Sequence, residues 1–128
     1  MIPIVGLAQQ LEKASPYNKA LLEADQETDK AYGTSKGIHT FTPQVRGVSG
    51  AGGTVYWVAA DGKSLSAYQN GQLQWKADIA KAFQKLIGQT EIQKLALSSE
   101  VLFLFTAKKG HAEINRKTGE ISAVGYYL

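Results

Sequence analysis

The chain has 128 residues, 44% of them hydrophobic and 20% charged, with 14 Lys/Arg against 11 Asp/Glu and a formal net charge of +3. That size and balance predict one folded domain and fall short of the dense basic loading of a dedicated nucleic-acid binder. The absence of cysteine excludes disulfides, thiolate zinc sites, iron–sulfur clusters and cysteine nucleophiles.

The N-terminal stretch MIPIVGLAQQLEKASP has neither the basic start nor the apolar core of a signal peptide. As written the chain reads as cytoplasmic, and a secreted or periplasmic chain whose signal had been removed would read the same. No run approaches the roughly 20 apolar residues of a membrane span. Ile4, Leu7, Ala8 and Leu11 follow helical spacing up to Ser15-Pro16. A second helix is expected from about Pro16 to Asp25, with Ser15 as N-cap and Tyr17, Ala20, Leu21 and Ala24 on one face. DQETDKAYGTSKG, residues 25–37, is polar and reads as a loop, so residues 1–37 form the helical N-terminal part.

Strand signals begin at Ile38, although Pro43 confines that run to an edge or a bulge. After the Gly-rich connector Ser49–Gly53 come strands at Val55–Ala60, Ser64–Tyr68 and Gln72–Ala77. Asp61-Gly62 and Asn70-Gly71 join them, and such pairs favour tight hairpins because both turn residues need positive φ. ADIAKAFQKLIGQ, residues 77–89, places Ile79, Ala82, Phe83, Leu86 and Ile87 at helical spacing with Gly88 as a stop, though an extended crossing segment fits it equally. Strands follow at Ile92–Ser98, Val101–Ala107, His111–Asn115 and Glu120–Tyr126, with turns at Lys109-Gly110 and Thr118-Gly119.

The two meanders read as copies of one unit. Val55 to Val101 and Tyr68 to Ile114 are each 46 positions, and Gly71 to Gly119 is 48, with the change inside the second turn. A unit of this size cannot bury its apolar face alone and packs on its neighbour. Adding Phe41–Val48 and Ile92–Ser98 as outer strands predicts a mainly β or α+β domain: N-terminal helices on two antiparallel four-stranded sheets. The first β unit spans residues 38–79, a connector 80–91 and the second unit 92–128.

LSAYQNGQLQW and AEINRKTGEIS make each unit resemble the blade of a quinoprotein-type (PQQ-like) β-propeller. That resemblance implies a Trp docked between blades, which is Trp75 in the first unit and Ala123 at the matching place in the second. A propeller needs at least about four blades to close, so a ring within one chain is excluded. A two-sheet sandwich, a fragment closed by the N-terminal helices, or a homodimer supplying four units remain. No residues for the family's quinone are found, and no cofactor or metal is expected.

The two histidines, His39 and His111, stand alone in their segments. His111 alternates with Glu113, so the pair shares a strand face and forms a conceivable general acid/base for a hydrolase-like enzyme, against a solvated strand face. GVSGAGG, residues 47–53, lacks the lysine and following helix of a phosphate loop. Lys108, Lys109, His111, Arg116 and Lys117 concentrate positive charge at the second meander's turns and could meet an anion or nucleic acid. Tyr56 and Trp57 point to opposite sides of their strand, so at least one of them is expected to be partly exposed. The closing Tyr126-Tyr127-Leu128 is a candidate to pair with an edge or dock on a partner. The leading expectation is a small non-enzymatic binding module whose partner is another protein or a second copy, with a nucleic acid not expected.

Overall fold

A computed structural model describes residues 16–24 and 38–127. They form two open five-stranded sheets and one α-helix, and no ring closes. In chain order the strands are β1 (Leu22–Ala24), β2 (Ile38–Thr40), β3 (Gly47–Ser49), β4 (Thr54–Val58), β5 (Ser64–Gln69) and β6 (Gln72–Asp78). Helix α1 (Ile79–Ile87) leads to β7 (Ile92–Leu97), β8 (Val101–Thr106), β9 (Gly110–Asn115) and β10 (Ile121–Tyr126). The first sheet has the order β1-β3-β4-β5-β6 and the second β10-β9-β8-β7-β2.

Two open sheets form as expected, but each has five strands instead of four, and the outer strand of the first unit is Gly47–Ser49 where Phe41–Val48 is expected. Residues 16–24 hold no α-helix: a single 3-10 turn, Lys19–Leu21, leads into β1, which pairs in parallel with β3. β2 crosses to the other sheet and pairs antiparallel with β7. Leucine and alanine are good helix formers, but intrinsic propensity is worth less than about 1 kcal/mol per residue and sheet pairing overrides it. The helix expected over residues 4–11 and the loop over 25–37 lie outside the described residues.

Local chemistry accounts for most boundaries. At the β5–β6 turn Asn70 has φ 52° and Gly71 φ 78°, as the sequence pair requires. At the β4–β5 turn only Gly62 has positive φ, and the Asp61 carboxylate accepts the Lys63 N–H at 2.9 Å. Between β8 and β9 the positive φ falls on Lys108 and Lys109, not on Gly110. Gly110 is required there by space, because a Cβ would collide with the Thr106 hydroxyl and meet Ile87 and Phe83. The connector is a helix: Asp78 caps it by accepting the Lys81 N–H at 3.0 Å, and Gly88 ends it with φ 77°. Asp78→Ala is expected to cost about 1 kcal/mol by losing that cap, read as a lowered midpoint in urea unfolding with an unchanged slope.

The register of the repeat decides how the sheets stack. Each unit carries a bulge at the same place: Gln74 is the extra residue opposite Ala67/Tyr68, and Ser122 the extra one opposite Glu113/Ile114. This anchor equates Tyr68 with Ile114, Ala67 with Glu113 and Trp75 with Ala123. Across the ladder it equates Val55 with Leu102, one position beyond the Val55–Val101 match of the sequence, because the turn after β8 is one residue shorter.

The first sheet buries Val48, Tyr56, Val58, Leu65, Ala67, Trp75 and Ala77 in the shared core. Their counterparts Ala96, Phe103, Phe105, His111, Glu113, Ala123 and Gly125 lie on the far side of the second sheet, whose core side is Leu95, Leu97, Leu102, Leu104, Ala112 and Ile114. The units therefore stack front on back, the front being the side that unit one turns to the core.

Candidate functional site

Residues that sequence reading would place on the surface are partly spent inside this stack. Tyr56 is 2% exposed and its hydroxyl accepts the Arg116 Nε–H at 2.9 Å. Arg116 also donates from Nη1 to the Ser98 carbonyl and sets its guanidinium 5.5 Å from the Tyr56 ring centroid. Its own carbonyl accepts the Trp75 Nε1–H at 2.8 Å, and the Trp75 ring covers Gly119. Tyr56, Trp75 and Arg116 form the polar seam between the sheets, which removes Tyr56 and Arg116 from the set of surface binding residues.

Trp57 points the other way, as alternation requires, and is half-buried on the back of the first sheet. Tyr17 covers it at 6.0 Å between ring centroids and lies 5.2 Å from Tyr68. The aromatic group of the first meander is thus divided between core and covered back, and it does not form a stacking platform.

The basic cluster also comes apart. Lys108 and Lys109 sit on the turn before β9, while Arg116 and Lys117 follow its far end. Six strand residues separate the two pairs, about 20 Å at 3.3–3.4 Å per residue. One phosphate group cannot span that gap, so the sequence cluster supplies two separate basic ends and not one patch.

His111 and Glu113 do share the front of the second sheet. Tyr127 lies on the imidazole at 4.7 Å between centroids, and Gly125 passes directly beside it. Neither side chain accepts or donates a hydrogen bond to the other. His39, by contrast, is 5% exposed and holds Glu23 through Nδ1 at 2.8 Å, tying β2 to β1 across the two sheets. Among the described residues no group of three His, Cys, Asp or Glu could hold a metal ion. A polar open cleft of about 740 Å³ is lined by Lys63, Lys76, Lys81, Asp61 and Asp78. Both aspartates there already accept backbone N–H groups.

The edge beside these residues, at whose end the sequence already marks Tyr126-Tyr127 as a docking candidate, stands out in the structure. Among the described residues β10 pairs only with β9, and Ser122, Ala123 and Val124 are exposed along it, with Val124 at 42% and Tyr126 at 44%. The run ISAVGYY holds no charge. β6, the matching edge of the first sheet, carries Lys76 and Asp78 among glutamines. Charged residues on an edge discourage strand addition, so β6 is guarded and β10 is not. The signal in the sequence was the missing charge, visible only once the strand is known to be an edge.

No helix of the described residues is long and apolar enough to cross a membrane. No family model, curated protein or solved structure matches the chain.

Proposed function

We propose that the chain is a small non-enzymatic binding module, built from a propeller-blade-like duplication, that accepts an extended segment of a partner protein along β10. The observation that carries this reading is the uncharged, exposed β10 edge set against the charged β6 edge. An extended peptide adding to such an edge gains main-chain hydrogen bonds, with alternate side chains supplying specificity. Lys108 and Lys109 stand at the Tyr126 end of β10 and Lys117 at the Ile121 end, so acidic residues flanking the added strand are favoured. The enzymatic reading through His111 and Glu113 has less support, since Tyr127 occupies the imidazole face.

The test is a titration of synthetic strands of alternating Val and Thr, with Glu or with Lys at both ends, followed by backbone amide shifts. Binding of the Glu-ended strand, with shifts concentrated on residues 121–126, supports the reading. Val124→Lys should weaken that binding at least tenfold, roughly 1.4 kcal/mol. Saturable binding of inorganic polyphosphate with no response to either peptide would replace it by the anion-binding alternative.

A further inference from the structure

Among the described residues the front-on-back stack leaves one front uncovered. In the first sheet the front is buried against the second, yet the equivalent surface of the second sheet faces out. Its centre is apolar: Phe103 and Ile38 are each 37% exposed, with half-buried Phe105, Ala96 and Val101 around them. This surface is the face of the sheet, to which β10 contributes Ala123 and Gly125, and is distinct from the hydrogen-bonding edge of β10.

A third unit stacked in the same sense would continue the pattern, but both of its anchors are missing. The second front has Ala123 where the first has Trp75. The first back is occupied by Tyr17 over Trp57 and Tyr68, and its Asn70-Gly71 turn is two residues against the longer turn that receives Trp75. Head-to-tail addition of another copy therefore lacks both the knob and an open seat.

Front-on-front contact requires neither. Lys94 on β7 and Glu113 on β9 flank the Phe103–Phe105 strip on opposite sides, one residue row apart. Among the described residues neither takes part in an ion pair. A twofold axis lying in the plane of contact and running between them places each Lys94 opposite the Glu113 of the other copy, while the phenylalanines meet in the centre. Such an arrangement is self-complementary, as an isologous interface must be.

We propose that the protein forms a twofold homodimer through the front of its second sheet, held by Phe103 and Phe105 and set in register by reciprocal Lys94–Glu113 pairs.

The experiment is sedimentation equilibrium and light scattering on the full chain, with circular dichroism on every variant to establish folding. The expected mass is about twice 13.8 kDa. Phe103→Glu should shift the chain to monomer. Lys94→Glu and Glu113→Lys should each raise the dimer dissociation constant about tenfold, and the double exchange K94E/E113K should restore it towards the parent value. These surface exchanges keep the test decisive even where Phe103→Glu fails to fold. A parent chain that stays monomeric at 100 µM (on the order of the weakest self-association of interest) overturns the proposal. So does a mass above two chains, which means head-to-tail growth, or a double exchange as weak as the single ones.

Discussion

Trp75→Ala is expected to lower the unfolding free energy by about 3–5 kcal/mol, the range for deleting a large buried aromatic. Trp75 is 7% exposed, contacts Tyr56 at 6.2 Å between centroids, and seats its ring on Gly119 of the other sheet. The deletion loses that packing and also leaves the Arg116 carbonyl without its 2.8 Å donor. Urea unfolding followed by far-ultraviolet circular dichroism, with Trp57 as the remaining fluorophore, measures the loss. Gly119 offers an independent check, since it has φ 77° and a Cβ there would lie 2.5 Å from the Trp75 ring. Gly119→Ala should therefore be severe in the parent and milder by about 1–2 kcal/mol in the Trp75→Ala background, where only backbone strain remains. Additive effects would show that the ring does not dock on that turn.

Arg116→Ala is expected to cost about 2–4 kcal/mol, because two polar partners lose their hydrogen bonds at once. The Tyr56 hydroxyl and the Ser98 carbonyl belong to different sheets, and Arg116 satisfies both from one guanidinium. Lysine cannot reproduce two bonds in divergent directions, so Arg116→Lys should recover little. The decisive measurement is Tyr56→Phe in both backgrounds. Alone it removes a good hydrogen bond and costs about 1 kcal/mol; after Arg116→Ala it removes an unpaired hydroxyl and should be neutral or stabilising. A loss of the same size in both backgrounds would mean that the pair is not coupled.

These two residues mark where sequence reading reached and where it stopped. The Trp-docking expectation attaches to Trp75 through the resemblance to a propeller blade, and the register puts Ala123 at the equivalent position of the second unit. Counted along the chain, the charge of Arg116 groups with Lys108, Lys109 and Lys117. Nothing local distinguishes an arginine that solvates a turn from one that reaches across to a tyrosine 60 residues earlier. The basic patch failed for the same reason, since neighbours in sequence separate by the length of a strand once β9 is extended.

What the sequence determined by itself is the local grammar. Asn70-Gly71 needs positive φ, and alternation plus turn spacing lays out both meanders, whereas over residues 77–89 the sequence allows helix or extended segment and the structure takes the helix between Asp78 and Gly88. Those signals act within a few residues, where backbone sterics and capping bonds set the energy. The tertiary structure alone decided that residues 22–24 and 38–40 become fifth strands, since short segments take the conformation of whichever edge they pair with. It also decided which side of each unit is buried. A one-residue difference in register exchanges the two faces of a strand, and the equivalence shifts by one between β4/β8 and β5/β9. The same apolar pattern therefore serves as core in the first sheet and as open surface in the second.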